Sequence, residues 1–159
     1  MEFVYDRTQA DVDRVKYLNQ RYINGTITDE EKREWNTGIN GSIGLKGALN
    51  LADIQRIEEN CRTISEILSA DIKTKEWEYG DIPRVSDYLR IRDNVQRIRD
   101  IYPSISSIPQ VPEQPLNTYW KWNDIEKILH DVYNIYVRIQ NGYYYCGAEM
   151  YAGEGIGDI

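Results

Sequence analysis

The sequence is poor in the residues from which most catalytic and metal centres are built. It holds one histidine, two cysteines, two methionines and a single phenylalanine in 159 residues. One histidine excludes by arithmetic a transition-metal site built on several imidazoles. Cys61 and Cys146 are too few and too far apart for a disulfide framework, and are read as buried or half-buried free thiols. No apolar run approaches the ~18 residues of a membrane span. The N-terminus, MEFVYDRTQADVDR, has an acid at position 2 and no apolar core of a secretory signal, so synthesis in the cytoplasm is expected. Basic residues are also short: 19 Lys and Arg against 26 Asp and Glu leave a net charge of −7. That balance argues against nucleic acid and against an anionic membrane surface as partners. No GxSxG, HExxH or dinucleotide fingerprint occurs. The glycine-rich stretch 36–47, NTGINGSIGLKG, lacks both a preceding strand and the Gly-Lys-Ser/Thr close of a phosphate loop, and reads as a plain loop. Nothing in the pattern implies a cofactor.

What the chain does have is helical periodicity. Asn50 caps a helix over 51–68 in which Leu51, Ile54, Ile57, Cys61, Ile64, Ile67 and Leu68 form one apolar stripe. Its opening, ADIQRI (52–57), recurs as SDYLRI (86–91), NDIEKI (123–128) and ADVDRV (10–15). Thr8, with Asp11 three residues on, predicts a capped first helix over 9–23, ended by Asn24-Gly25. Thr28 caps a short second helix, TDEEKREW, whose acids complement the helix dipole and whose apolar anchor is Trp35. Residues 70–84 form a connector in which Trp77 and Tyr79 are expected to dock on the bundle. A fourth helix spans about 84–102 and stops before Pro103. Four of the five prolines follow, making 103–118 an extended connector that lies along the domain through Ile105, Ile108 and Val111. Thr118 is the expected cap of a last helix over 119–141, with Asn141-Gly142 as its stop. The three tyrosines 143–145 favour a strand, and with EMYAG they predict a small C-terminal β-hairpin within an aromatic and glycine-rich tail, 143–159. Residues 1–159 then form a single domain of the all-α class, a bundle of four to five helices.

The charged residues of these helices have an ordinary explanation. Asp53 with Arg56, Asp87 with Arg90 and Asp124 with Lys127 stand at the spacing of helix-surface ion pairs, with the acids also serving helix starts. Glu58 and Glu59 are expected in solvent. A pair of such carboxylates flanking a glycosidic bond, as in a hydrolase, is a remote alternative, and a buried polar junction between helices is another. His130 reads as a partly exposed helix histidine. Neither cysteine has a base placed beside it by sequence.

The aromatic residues carry the stronger signal. Nine of them crowd into 119–151, and Tyr and Trp suit both protein interfaces and sugar stacking. Trp120, Trp122, Tyr143, Tyr144 and Tyr145 are the candidate interaction surface. Packing on the chain's own bundle, a protein–protein interface and a carbohydrate platform are the three readings of it.

Several segments together, DRTQADVDRV, GLKGALNLADIQRIEEN, GDIPRVSDYLRIRDNVQRIR, IPQVPEQPLNTYWKWNDIEKILHDV and YYYCGAEMYAGE, resemble a helical module of phage and prophage structural proteins from Gram-positive, often gut, bacteria. The module occurs alone or within longer tail- or baseplate-associated chains. The resemblance spans most of the chain, and KGALNLADIQRIEEN and the NDIEKIL–AGE ending are its most specific parts. Arg84 departs from it, standing where a Thr or Ser cap is expected. The resemblance implies a non-enzymatic, virion-associated protein with no catalytic, cofactor or metal residues. Its partners would be other tail proteins or further copies of itself. A cell-wall or glycan-binding module using the same aromatics is the alternative.

Overall fold

The computed structural model describes residues 1–37, 45–103 and 105–146, with backbone alone at 37 and 143–146. Among them are five helices and no strand: α1 (Gln9–Ile23), α2 (Asp29–Thr37), α3 (Leu51–Leu68), α4 (Val85–Arg99) and α5 (Tyr119–Cys146). The expected caps form where their chemistry allows. Thr8 with Asp11 and Asn50 with Asp53 make complete capping boxes. Thr28 and Glu31 exchange the same two bonds at the start of α2. Arg84 offers no side-chain cap, and the Asp87 carboxylate instead takes the Arg84 amide at 2.9 Å. Thr118 does not cap α5, since its hydroxyl has no hydrogen-bond partner.

Two expectations about α5 are corrected. Asn141-Gly142 does not stop the helix. Glycine ends a helix when it turns left-handed, as Gly25 does after α1 at φ 66°, and Gly142 does not take that conformation. Tyr143–Tyr145 therefore continue α5 as helix, not strand. The remainder of the expected hairpin, 147–159, lies outside the described residues.

The helices α3, α4 and α5 run in one direction. Arg56 near the start of α3 reaches Glu126 in α5, and Tyr88 near the start of α4 meets Trp122 near the start of α5 edge-on at 5.7 Å. Arg90 of α4 binds Glu58 of α3. Farther along, Asn94 and Arg97 of α4 bond to Lys73 and Asp71, just past the end of α3. Parallel neighbours require long return connections, and each return is an extended segment laid in a groove between two helices. Residues 71–77 lie between α3 and α4, with Trp77 buried. Residues 108–116 lie between α4 and α5, burying Ile108, Val111 and Leu116. The N-terminal arm, 2–7, occupies the third groove, between α5 and α3: Asn60 holds Glu2 O at 2.7 Å, Glu126 holds the Val4 amide at 2.7 Å, and Asn123 brackets the Arg7 backbone.

Extended backbone in a groove leaves amides and carbonyls that no ladder satisfies, so side chains must. Arg99 donates to Pro109 O at 2.7 Å and Arg92 to Pro112 O at 3.1 Å. Asn94 clasps both backbone groups of Lys73, at 2.7 and 3.3 Å. Asn94→Ala strands both groups and is expected to cost about 1–3 kcal/mol in urea unfolding; a loss below about 0.5 kcal/mol would remove the clasp from this account.

The sequence recurrence acquires a structural meaning here. Asp53, Arg56 and Asn60 in α3 do the work of Asp87, Arg90 and Asn94 in α4: a cap acid, an ion pair three residues on, and an amide that grips an extended segment, the N-terminal arm for Asn60 and the 71–77 return for Asn94. The apolar seam repeats as Ile57–Cys61–Ile64, Ile91–Val95–Ile98 and Ile128–Val132–Ile135. The third copy keeps the seam and loses the polar job: Lys127 pairs with Asp131 at 2.9 Å and not with Asp124.

The pair α1–α2 stands apart from this body. Arg14 joins Glu34 at 2.6 Å, and Tyr22 stacks on Trp35 with ring centres 6.0 Å apart. Among the described residues its links to the body include the arm and a close approach of Gly47 to the α1 backbone at Asp11.

Candidate interaction surface

The five expected surface residues are not brought together. Trp122 is buried, its indole N–H donating to Leu116 O at 3.1 Å, and belongs to the core. Trp120 is 49% exposed. The two differ by 200° around a helix at 100° per residue, so one faces the seam with Ile125 and Leu129 while the other faces away. Tyr143–Tyr145 lie in the last turns of α5, and their side chains fall outside the described residues. Of the candidate set, Trp120 is the described side chain that reaches solvent.

Two of the three acids read as surface pairs, Asp53 and Asp87, are interior, and so are Glu58, expected in solvent, and Glu126, which is completely buried. The arm covers the first junction. Glu126 accepts from Arg7 and Arg56 at 2.9 Å each, and Asp53 accepts from the same two guanidiniums at 3.2 and 2.8 Å. Arg7 closes the knot by donating to Val4 O. The second junction joins Glu58, Arg90 and Asp87 under residues 73–75, with the Lys75 amide on Glu58 at 3.4 Å. The bond from the Arg84 amide, aided by Arg90, holds the Asp87 carboxyl below the usual carboxylate range. With Arg7 and Arg56 binding both Asp53 and Glu126, and little solvent access, that pair has no room to flank a sugar. The buried-junction alternative describes these residues.

The remaining chemistry-bearing residues are also engaged or enclosed. His130 lies between Phe3, at 5.5 Å, and Tyr5, at 4.9 Å, with its Nδ1 2.9 Å from Asp131 and its Nε2 2.9 Å from Asn134. Cys61 is fully buried, and burial together with the nearby Glu58 charge pushes its thiol far above the ordinary range. Among the described residues, no group of three His, Cys, Asp or Glu is placed to hold a metal ion. None of the described helices is long and apolar enough to cross a membrane. Asp124 is not engaged in this way. It has no ion-pair partner among the described residues, and partial burial raises its pKa.

The most exposed large apolar side chains form a different set. Tyr79 is 97% exposed, Ile82 81%, Val85 72% and Leu89 44%. Tyr79 does not dock on the bundle as expected. It sits in the 78–81 turn, closed by the bond from Asp81 N to Glu78 O, beside Gly80 at φ 97°. Val85 and Leu89 are one turn apart on α4 and lie roughly 120° from the Ile91–Val95–Ile98 seam. The sequence did hold a signal for this face. The apolar stripe of α4 is too wide for one seam, and its surplus members are Val85 and Leu89. Compared with protein-family models, with curated proteins and with solved structures, the chain finds no match.

Proposed function

We propose that the chain is a non-enzymatic structural module of phage or prophage origin, virion- or tail-associated, that acts through protein–protein contacts. The observation that carries this reading is the outward exposure of the apolar residues Tyr79, Ile82, Val85 and Leu89 on a body whose buried charges Asp53, Glu58, Asp87 and Glu126 are paired internally. Exposed apolar clusters of this kind mark sites of association. The rigid parallel helices with their clasped return segments suit a part that holds a surface in place. The family resemblance of the segments quoted above points the same way. Mass spectrometry of particles purified after induction of a lysogen encoding the chain tests the role. Recovery of the protein at a structural copy number is expected, and its absence from intact particles overturns the assignment.

A second reading rests on Trp120 and Asp124, one turn apart on α5, an exposed indole and a carboxylate with no ion-pair partner among the described residues. That pair suits a sugar ring stacked on the indole and hydrogen-bonded to the acid. Titration with cell-wall fragments decides it: binding that disappears in Trp120→Ala supports a glycan platform, and silence across the fragments removes it.

A further inference from the structure

The face around the start of α4 has three properties beyond its apolarity. First, two of its residues, Ile82 and Leu89, border depressions that share Ser86. Lys75, Gly80, Ile82, Arg84 and Ser86 line one shallow depression, and Ser86 also borders a second that runs past Leu89 to Asp93 and Arg97. Second, it is neutral. Lys73, Lys75, Arg84 and Arg90 cancel Glu76, Glu78, Asp81 and Asp87, so residues 73–90 carry no net charge in a chain of −7. Third, an acid and a base, Glu78 and Arg84, stand among the apolar residues, and neither side chain has an ion-pair partner among the described residues.

We propose that a second copy of this chain docks on this face in a two-fold contact. Tyr79, Ile82, Val85 and Leu89 pack against their counterparts, and Glu78 of each copy meets Arg84 of the other. The inference rests on the reading of the chain as a protein-contact module and names its partner. Charge is compatible with a second copy. Two molecules of −7 repel, and a locally neutral stretch lowers that penalty where they meet. Glu78 and Arg84 make the face complementary to itself, as an isologous contact requires. The area is adequate for a weak dimer. The four side chains offer on the order of 400 Å² of apolar surface, and two copies with their polar rims come to about the 1,000 Å² of a specific interface.

Sedimentation velocity of the full chain from about 5 to 500 μM tests the proposal. A monomer of 18.7 kDa at the low end is expected to pass to a dimer, with Kd about 10–100 μM as for small transient interfaces. Ile82→Asp is expected to weaken association at least tenfold while the circular dichroism stays unchanged, since the position is exposed. Arg84→Glu and Glu78→Arg are each expected to weaken it about tenfold through like charges brought face to face. The double variant restores the wild-type value within about twofold, because exchanging the two charges keeps a two-fold pair matched. A dimer indifferent to Ile82→Asp, or a double variant no better than the singles, overturns the proposal. A monomer at every concentration also overturns it. The copy number in purified particles then still decides the structural role independently.

Discussion

Glu126→Ala is expected to cost about 3–5 kcal/mol of folding stability, a large part of the 5–15 kcal/mol typical of a domain. The carboxylate is fully buried and holds the Val4 amide at 2.7 Å together with Arg7 and Arg56. Its loss leaves two guanidiniums with Asp53 as their single remaining counter-charge, and leaves the arm's amide unpaired in a closed groove. The cost is that of an uncompensated charge and not the net worth of the ion pair, so a second variant separates the two. Arg7→Met combined with Glu126→Leu removes a positive and a negative charge together, and is expected to be less destabilising than Glu126→Ala alone. Urea unfolding of the three proteins checks this. A loss below about 1 kcal/mol for Glu126→Ala would mean that the junction is hydrated and the arm is not held by it.

Gly47→Ala is the second large effect. A Cβ at this position would lie 2.2 Å from Asp11 O, 2.3 Å from Asp11 C and 2.5 Å from Val12 N. All three are backbone atoms in the first turn of α1 and cannot swing aside as a side chain would. The arm, the start of α1 and the segment entering α3 must separate, at about 1–3 kcal/mol or more. Gly142→Ala is the matched control. Nothing lies within 4 Å of its added Cβ, and the site is inside α5, so a gain of about 0.5–1 kcal/mol is expected. Amide chemical shifts of Asp11 and Val12 should move in Gly47→Ala and stay in place in Gly142→Ala. Equal stability of Gly47→Ala and wild type would contradict the close approach.

Much of the fold was legible because its signals are local. The caps at Thr8, Thr28 and Asn50 and the seam of α3 follow from residue spacing over one or two turns. The burial of the prolyl connector followed from Ile108 and Val111. Helix direction was not legible, since an apolar stripe states which face is covered and not which way the neighbour runs. Nor was the fate of the charged residues. Asp53, Arg56 and Glu58 stand at surface-pair spacing, and what covers them comes from residues 2–7, 73–75 and 126, far away in sequence. Gly142 misled for a different reason, since glycine permits a helix stop without enforcing one. Of the candidate surface, the division between Trp120 and Trp122 was present in their 200° separation. The face at Tyr79, Ile82, Val85 and Leu89 was obscured because an apolar residue on a helix is read first as core.

The account turns on extended segments being clasped by buried side chains, and native-state hydrogen exchange tests that most directly. The amides of Val4 and Lys75 lie outside any helix yet donate to Glu126 and Glu58. They are expected to exchange only with the large openings that release the amides of α3 and α5, and in Glu126→Ala both are expected to accelerate with the lost stability, Val4 more than Lys75 because it also loses its acceptor. Exchange of Val4 and Lys75 at the rate of Tyr79 in its exposed turn would contradict the account.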